Sequence, residues 1–414
     1  MLPKIDGQYL FVLPLPLVSP TDPKATLFGI VYAYTDAAFN LIGKKELLIC
    51  KGLAYKLPSP SYLFAQGINP DLIANGLSEV EFLTRLQKIM QAPNLDIFTW
   101  SLHNLKIVDK MCARNLEADL LGKVNSLIDV NKILKLDQYL NTGSVPNTDA
   151  LYKCAKLLGF KESSKHTDLL FKLDALIYLV KHLNTNAQAL LNFSLKGKQF
   201  KIDTIKNALL KGQTLLDFNT ATHEINLLKP LVFDDSKQRL EALVYDNNSI
   251  TRQFIYLSQF PLLSPATVLT PARQELTKIS LNGVNKAFFE TDINSLKLDL
   301  NSLSVFEKFY AQLNADDKAY CKQWRASPKN ALEPPALSCS KEFRQLVFLL
   351  RGNNFAGTLI DNELQYYYRM CQSLLMPQLK VYAKELKLLV NQVDENNQEQ
   401  VMLLATIERY LSSL

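Results

Sequence analysis

Four histidines, His103, His166, His182 and His223, and six cysteines, Cys50, Cys112, Cys154, Cys321, Cys339 and Cys371, have the widest chemical repertoire in this 414-residue chain. The cysteines form no C-x-x-C pair and none has a histidine at metal-ligand spacing, so neither a zinc site nor a disulfide framework is expected. They read as reduced, mostly buried thiols of a cytosol. A glycine-rich phosphate loop, a G-x-S-x-G elbow, an H-E-x-x-H helix and an EF-hand loop are absent. A lone histidine on an amphipathic segment is more often packed or solvated than catalytic, so the histidines by themselves define no reaction.

Composition sets the frame for these residues. With 48% hydrophobic, 10% aromatic and 21% charged residues, the chain has apolar material for real cores, which excludes disorder as the dominant state. Its length suggests two or three folded units. Only 14 glycines are present, which favours helices over a turn-rich sandwich. The net charge of +6 suits a polyanionic partner and equally a solvated surface. No apolar run reaches the roughly 18 residues needed to span a bilayer. The nearest, Tyr9 to Val18, follows Asp6, carries Pro14 and Pro16 and lacks a small-residue cleavage site. It reads as a buried first strand, not a signal peptide, and a cytoplasmic monomer without membrane contact is expected.

Periodicity then places the elements. Strand-like runs at Gln8 to Val18, Ala25 to Thr35, Glu46 to Lys51 and Leu95 to Trp100 alternate with helix-like segments at Leu77 to Gln91 and Thr167 to Leu183. That alternation predicts an α/β domain with a mixed sheet over residues 1–190. Short β-prone pieces such as Leu240 to Tyr245 and Gln253 to Ser258 predict a small β-rich module over 191–300. From 301 to 414 helical spacing dominates, with helices expected at Phe343 to Leu350, Glu363 to Leu375, Leu379 to Val393 and Val401 to Leu411.

Several landmarks occur in order: Phe39-Asn-Leu-Ile-Gly43, Cys50-Lys51, Leu57-Pro-Ser-Pro60 and Gln66-Gly-Ile-Asn-Pro70, then Pro230-Leu-Val-Phe233 with Phe260 through Pro271. Phe348-Leu-Leu-Arg-Gly-Asn-Asn-Phe-Ala-Gly-Thr-Leu359 and Tyr382-Ala-Lys-Glu-Leu386 follow. Together they resemble the bacterial exonuclease I family over nearly the whole chain. The resemblance implies an RNase H-like DEDDh exonuclease domain, an SH3-like β-rich domain and a C-terminal helical domain, with some tens of residues missing around Asp246 to Thr251. It also implies an activity, 3′-to-5′ degradation of single-stranded DNA, in which four carboxylates hold two Mg²⁺ ions and a histidine acts as general base.

Transferring that pattern position by position gives a deficit. The Asp-x-Glu of the first strand falls on Leu13-Pro14-Leu15, the second acid falls on Lys106, and the His-x4-Asp motif falls on His166 and Phe171. Only His166 keeps its type, and no metal cofactor is expected. Asp109 near Lys106, and Asp168 and Asp174 on either side of Phe171, are the nearby acids that could compensate; the first motif has no such neighbour. Gln66, Gly67 and Trp100 fall where family members contact terminal nucleotides, though a turn and a buried Trp explain them as well. Lys341, Arg344, Arg351 and Arg369 either line a DNA channel or form a solvated helical face. The leading expectation is a pseudo-exonuclease that binds single-stranded DNA or the acidic tail of single-stranded DNA-binding protein. The alternatives are an active nuclease with a rearranged metal site and a structural subunit without DNA binding.

Overall fold

The computed structural model describes residues 9–90, 95–144, 150–161, 168–219, 224–246, 249–328 and 333–412. Strands β1 (Tyr9–Pro16), β2 (Leu27–Thr35), β3 (Leu41–Ile49), β4 (Asp96–Thr99) and β5 (Ser126–Asp129) form a mixed sheet in the order 3-2-1-4-5. β1 runs antiparallel to β2 and parallel to β4, and β4 runs parallel to β5. Alternation along β1 splits its side chains between two layers: Phe11, Leu13 and Leu15 join one core, Leu10 and Val12 the other. β3 begins earlier than the expected 46 to 51. Its exposed half contains Lys44 and Lys45, and such a charged edge strand escapes a search for apolar runs.

Helices cover both faces of the sheet. They are α1 (Pro60–Gln66), α2 (Glu79–Met90), α3 (Leu102–Leu105), α4 (Ile107–Arg114), α5 (Val130–Thr142), α6 (Leu151–Leu157), α7 (Phe171–Asn186) and α8 (Gln188–Ser194). On α7, Leu173, Leu176, Leu179 and Val180 are buried in the same core as Leu13 and Leu15.

A second sheet is antiparallel throughout, in the order 10-6-7-8-9: β6 (Leu215–Asn219), β7 (Glu224–Asp234), β8 (Arg239–Asp246), β9 (Ser249–Tyr256) and β10 (Ser264–Pro265). The β8–β9 pairing extends to Asp246 and Ser249, where the chain was expected to be shortened. The strand-only reading of 191 to 300 missed α9 (Lys198–Lys211), α10 (Pro271–Thr277) and α11 (Leu281–Glu290). α9 buries little beyond Ile205, Ala208 and the stems of Lys198 and Lys201, so its apolar stripe is too thin to stand out.

The remaining helices are α12 (Val305–Ala311), α13 (Ala315–Ala326), α14 (Lys341–Asn354), α15 (Asp361–Val390) and α16 (Gln398–Ser412). The two helices expected on either side of Pro377 are one 30-residue helix. Proline removes one backbone hydrogen bond, yet α15 is held on both sides of it. Tyr367 and Cys371 pack with Leu53 and Tyr55, and Tyr382 and Leu386 join the main core. The Gln378 side chain accepts from Leu57 N–H at 3.0 Å and donates to the Tyr55 carbonyl at 3.1 Å. Tertiary contacts therefore outweigh the local break.

Candidate nucleic-acid cleft

The cleft follows from where β1 and β4 part. Their parallel pairing runs from Tyr9–Asp96 to Val12–Thr99 and stops, because β4 turns off through Trp100 and Ser101 into α3. Beyond that point Pro14 has no N–H to offer another neighbour, and β1 pairs on that stretch with β2 alone. A cavity of about 510 Å³ opens at the C-terminal ends of these strands, the usual position for a ligand crevice in an open α/β sheet. Leu13 and Pro14 contribute from β1, Gln66 from α1, Trp100, His103 and Asn104 from the β4–α3 turn, Asn131 from α5, Tyr152 from α6, and Lys172 from α7. Among the described residues no Asp or Glu occurs in this lining.

The sequence-predicted positions are distributed unevenly around this cleft. Leu13 borders it, whereas Leu15 is 1% exposed and wholly within the core. Phe171 is buried against Phe160 and Tyr152, with ring centroids 5.5 and 6.3 Å away. Lys106 faces a neighbouring cavity of about 200 Å³ together with Asp109 and Asp119; His103 borders both spaces. His166 lies outside the described residues. Burial, reinforced by the Lys106 and Lys110 ammonium groups, holds the His103 imidazole below its ordinary pKa.

The acids that could have compensated are engaged elsewhere. Asp174 pairs with Lys45 of β3 at 2.5 Å. Asp168 accepts from the Leu170 and Phe171 amides at 2.9 and 3.4 Å, in the turn that leads into α7. Asp109 is driven up to about 8 by burial and by Asp119, against the pull of Lys106. Among the described residues no group of three or more His, Cys, Asp and Glu could hold a metal ion.

Gly67 adopts φ 68° as the left-handed cap of α1, a conformation that suits glycine. The cap leaves the Gln66 carbonyl open, and Lys172 Nζ donates to it at 2.8 Å and to Gln66 Oε1 at 3.2 Å. Trp100 is largely buried but reaches the cleft, and its carbonyl accepts from the Asn131 amide at 3.1 Å. Arg351 is buried and donates to the Thr358 carbonyl at 2.7 Å, so it closes the turn after α14 and does not face a DNA channel. Arg344 is half-buried and Arg369 exposed.

Lys172 and Asn131 were missed by sequence reasoning. Asn131 follows Asp129, which caps α5 by accepting from the Lys132 amide at 2.9 Å. That helix start was a findable signal. Nothing local distinguishes Lys172 from any surface lysine.

Residues 304–414 match the family model of the exonuclease I C-terminal domain. The chain is similar to exonuclease I along nearly its whole length, and its C-terminal region matches that family's C-terminal domain. It is 24% identical to exodeoxyribonuclease I of Escherichia coli (strain K12), with 92% of each chain covered. Its fold matches the structure of SSB/exonuclease I in complex with inhibitor CFAM at a TM-score of 0.74 and 19% identity, covering 98% of this chain and 99% of the other. It also matches E. coli exonuclease I in complex with a dA16 oligonucleotide at a TM-score of 0.72 and 19% identity, covering 99% and 100%. The mixed sheet with its helices fits the α/β exonuclease fold. No described helix is long and apolar enough to cross a membrane.

Proposed function

We propose that this chain keeps the exonuclease I scaffold without its phosphodiester hydrolysis and serves as a single-stranded-DNA-binding protein. The lining of the 510 Å³ cleft, which has no carboxylate among the described residues, carries this reading. A hard divalent ion needs charged oxygen donors, and two ions beside a phosphodiester need several. Leu13, Lys172, His103 and amide side chains do not fit such an ion. The oligonucleotide complex of the similar enzyme supports single-stranded DNA as ligand. The SSB/exonuclease I structure supports SSB as a second binding partner.

Pure protein incubated with a labelled oligonucleotide and Mg²⁺ or Mn²⁺ is expected to leave it intact. A ladder that EDTA abolishes would overturn the loss of hydrolysis. Fluorescence anisotropy with oligothymidine from about 50 to 300 mM salt is expected to show binding that weakens steeply, log K falling by roughly 0.7 per phosphate contacted. No binding at the lowest salt would favour a purely structural subunit.

A further inference from the structure

The charge pattern of the cleft is that of an anion site. Its described lining has an ammonium at Lys172 and no carboxylate to offset it. Lys172 is half-buried, in the first turn of α7, where the helix amides add positive potential. An ammonium has three donors. Gln66 takes two of them, at 2.8 and 3.2 Å, through neutral carbonyl oxygens. Burial pushes the Lys172 ammonium down to about 8. At another point of the lining, Asn131 is 6% exposed and its Oδ1 has no hydrogen-bond partner. A buried amide oxygen left in this state calls for a donor from a ligand.

We propose that the cleft holds a nucleotide phosphate on the Lys172 ammonium without a divalent metal, while Asn131 Oδ1 accepts from a hydroxyl or imino N–H of the same nucleotide. This rests on the single-stranded-DNA reading and names the groups that would carry it. The third N–H of Lys172 supplies a charge-assisted bond to phosphate, the stronger type of hydrogen bond.

The test compares wild type, Lys172→Met and Lys172→Arg in EDTA, by anisotropy with oligothymidine and by calorimetry with thymidine 5′-monophosphate. Lys172→Met keeps the apolar stem and is expected to weaken both ligands about tenfold, the size of one charged hydrogen bond. Its slope of log K against log salt should be shallower by about 0.7. Lys172→Arg should retain most of the affinity. Thermal unfolding reports whether each variant folds, and Lys172→Gln replaces Lys172→Met if the latter does not melt cooperatively. Undiminished oligothymidine binding and an unchanged slope in a folded Lys172→Met would overturn the Lys172 assignment and leave the DNA reading standing. Lys172-dependent binding of the monophosphate with no oligothymidine binding would support the phosphate site and overturn the DNA reading. Binding of neither ligand to wild type, or binding that needs Mg²⁺, would overturn the proposal.

Discussion

Asn354, near the end of α14, donates its amide to Asn115 Oδ1 at 3.0 Å and accepts from the Val80 N–H at 3.0 Å, so two residues 239 positions apart lock the C-terminal helices onto α2 and α4. Beside it Asn353 accepts from the Ala54 N–H at 2.8 Å and donates to the Gly52 carbonyl at 3.3 Å. The Arg-Gly-Asn-Asn stretch noted in the sequence is thus a fastening between the two ends of the chain.

Asn354→Ala should lower stability by about 1–3 kcal/mol, because the Val80 amide and the Asn115 side chain each lose a partner. Chemical denaturation measures this; an unchanged midpoint would contradict the fastening role.

Glu79 is fully buried and accepts from Arg114 Nε at 2.9 Å, Thr26 Oγ1 at 2.7 Å and Asn115 Nδ2 at 2.8 Å. Removing one member of a buried ion pair strands the other charge, so Glu79→Ala should cost about 3–5 kcal/mol. The expected readout is loss of cooperative melting or a large fall in midpoint, with Glu79→Gln milder because it keeps some of the hydrogen bonds.

Asp109 supplies a pH test. Its folded pKa of about 8 lies above the value of roughly 3.9 for an unfolded Asp. Between those values the folded chain binds the extra proton, so its stability falls as pH rises and levels off above 8. Asp109 Oδ1 is also buried without a partner. Asp109→Asn should therefore match wild type near pH 4 and exceed it progressively as pH rises, by several kcal/mol at pH 9, since each unit of the gap is worth about 1.4 kcal/mol. Denaturation midpoints at pH 4, 7 and 9 give the comparison; a constant offset would point to a different cause.

Lys106→Asp should create no metal-dependent nuclease. The position faces the smaller cavity beside Asp109 and Asp119, and the described lining of the Leu13 cleft keeps no acid. Even the quadruple change Leu13→Asp, Leu15→Glu, Lys106→Asp and Phe171→Asp would place carboxylates at three buried apolar positions, so any activity should come with a marked loss of stability. Digestion of a labelled oligonucleotide with Mn²⁺ and thermal melting test both.

The sequence by itself determined the mixed sheet of the N-terminal part, the buried first strand, the β-rich character of the middle and the helical C-terminal region, because period-two and helical apolar spacing are local signals. It also determined which residue types stand at Leu13, Leu15, Lys106 and Phe171. Only tertiary structure decided that Pro377 lies inside one continuous helix, since anchors at Tyr55 and Leu57 hold it there. Only tertiary structure turned Arg351 inward and sent Lys106 to a different cavity from Leu13. The meeting of Lys172, Gln66 and Asn131 at one cleft likewise depends on α7, α1 and α5 packing around the end of β1. Contacts between positions far apart in the chain leave no periodicity in the sequence that joins them.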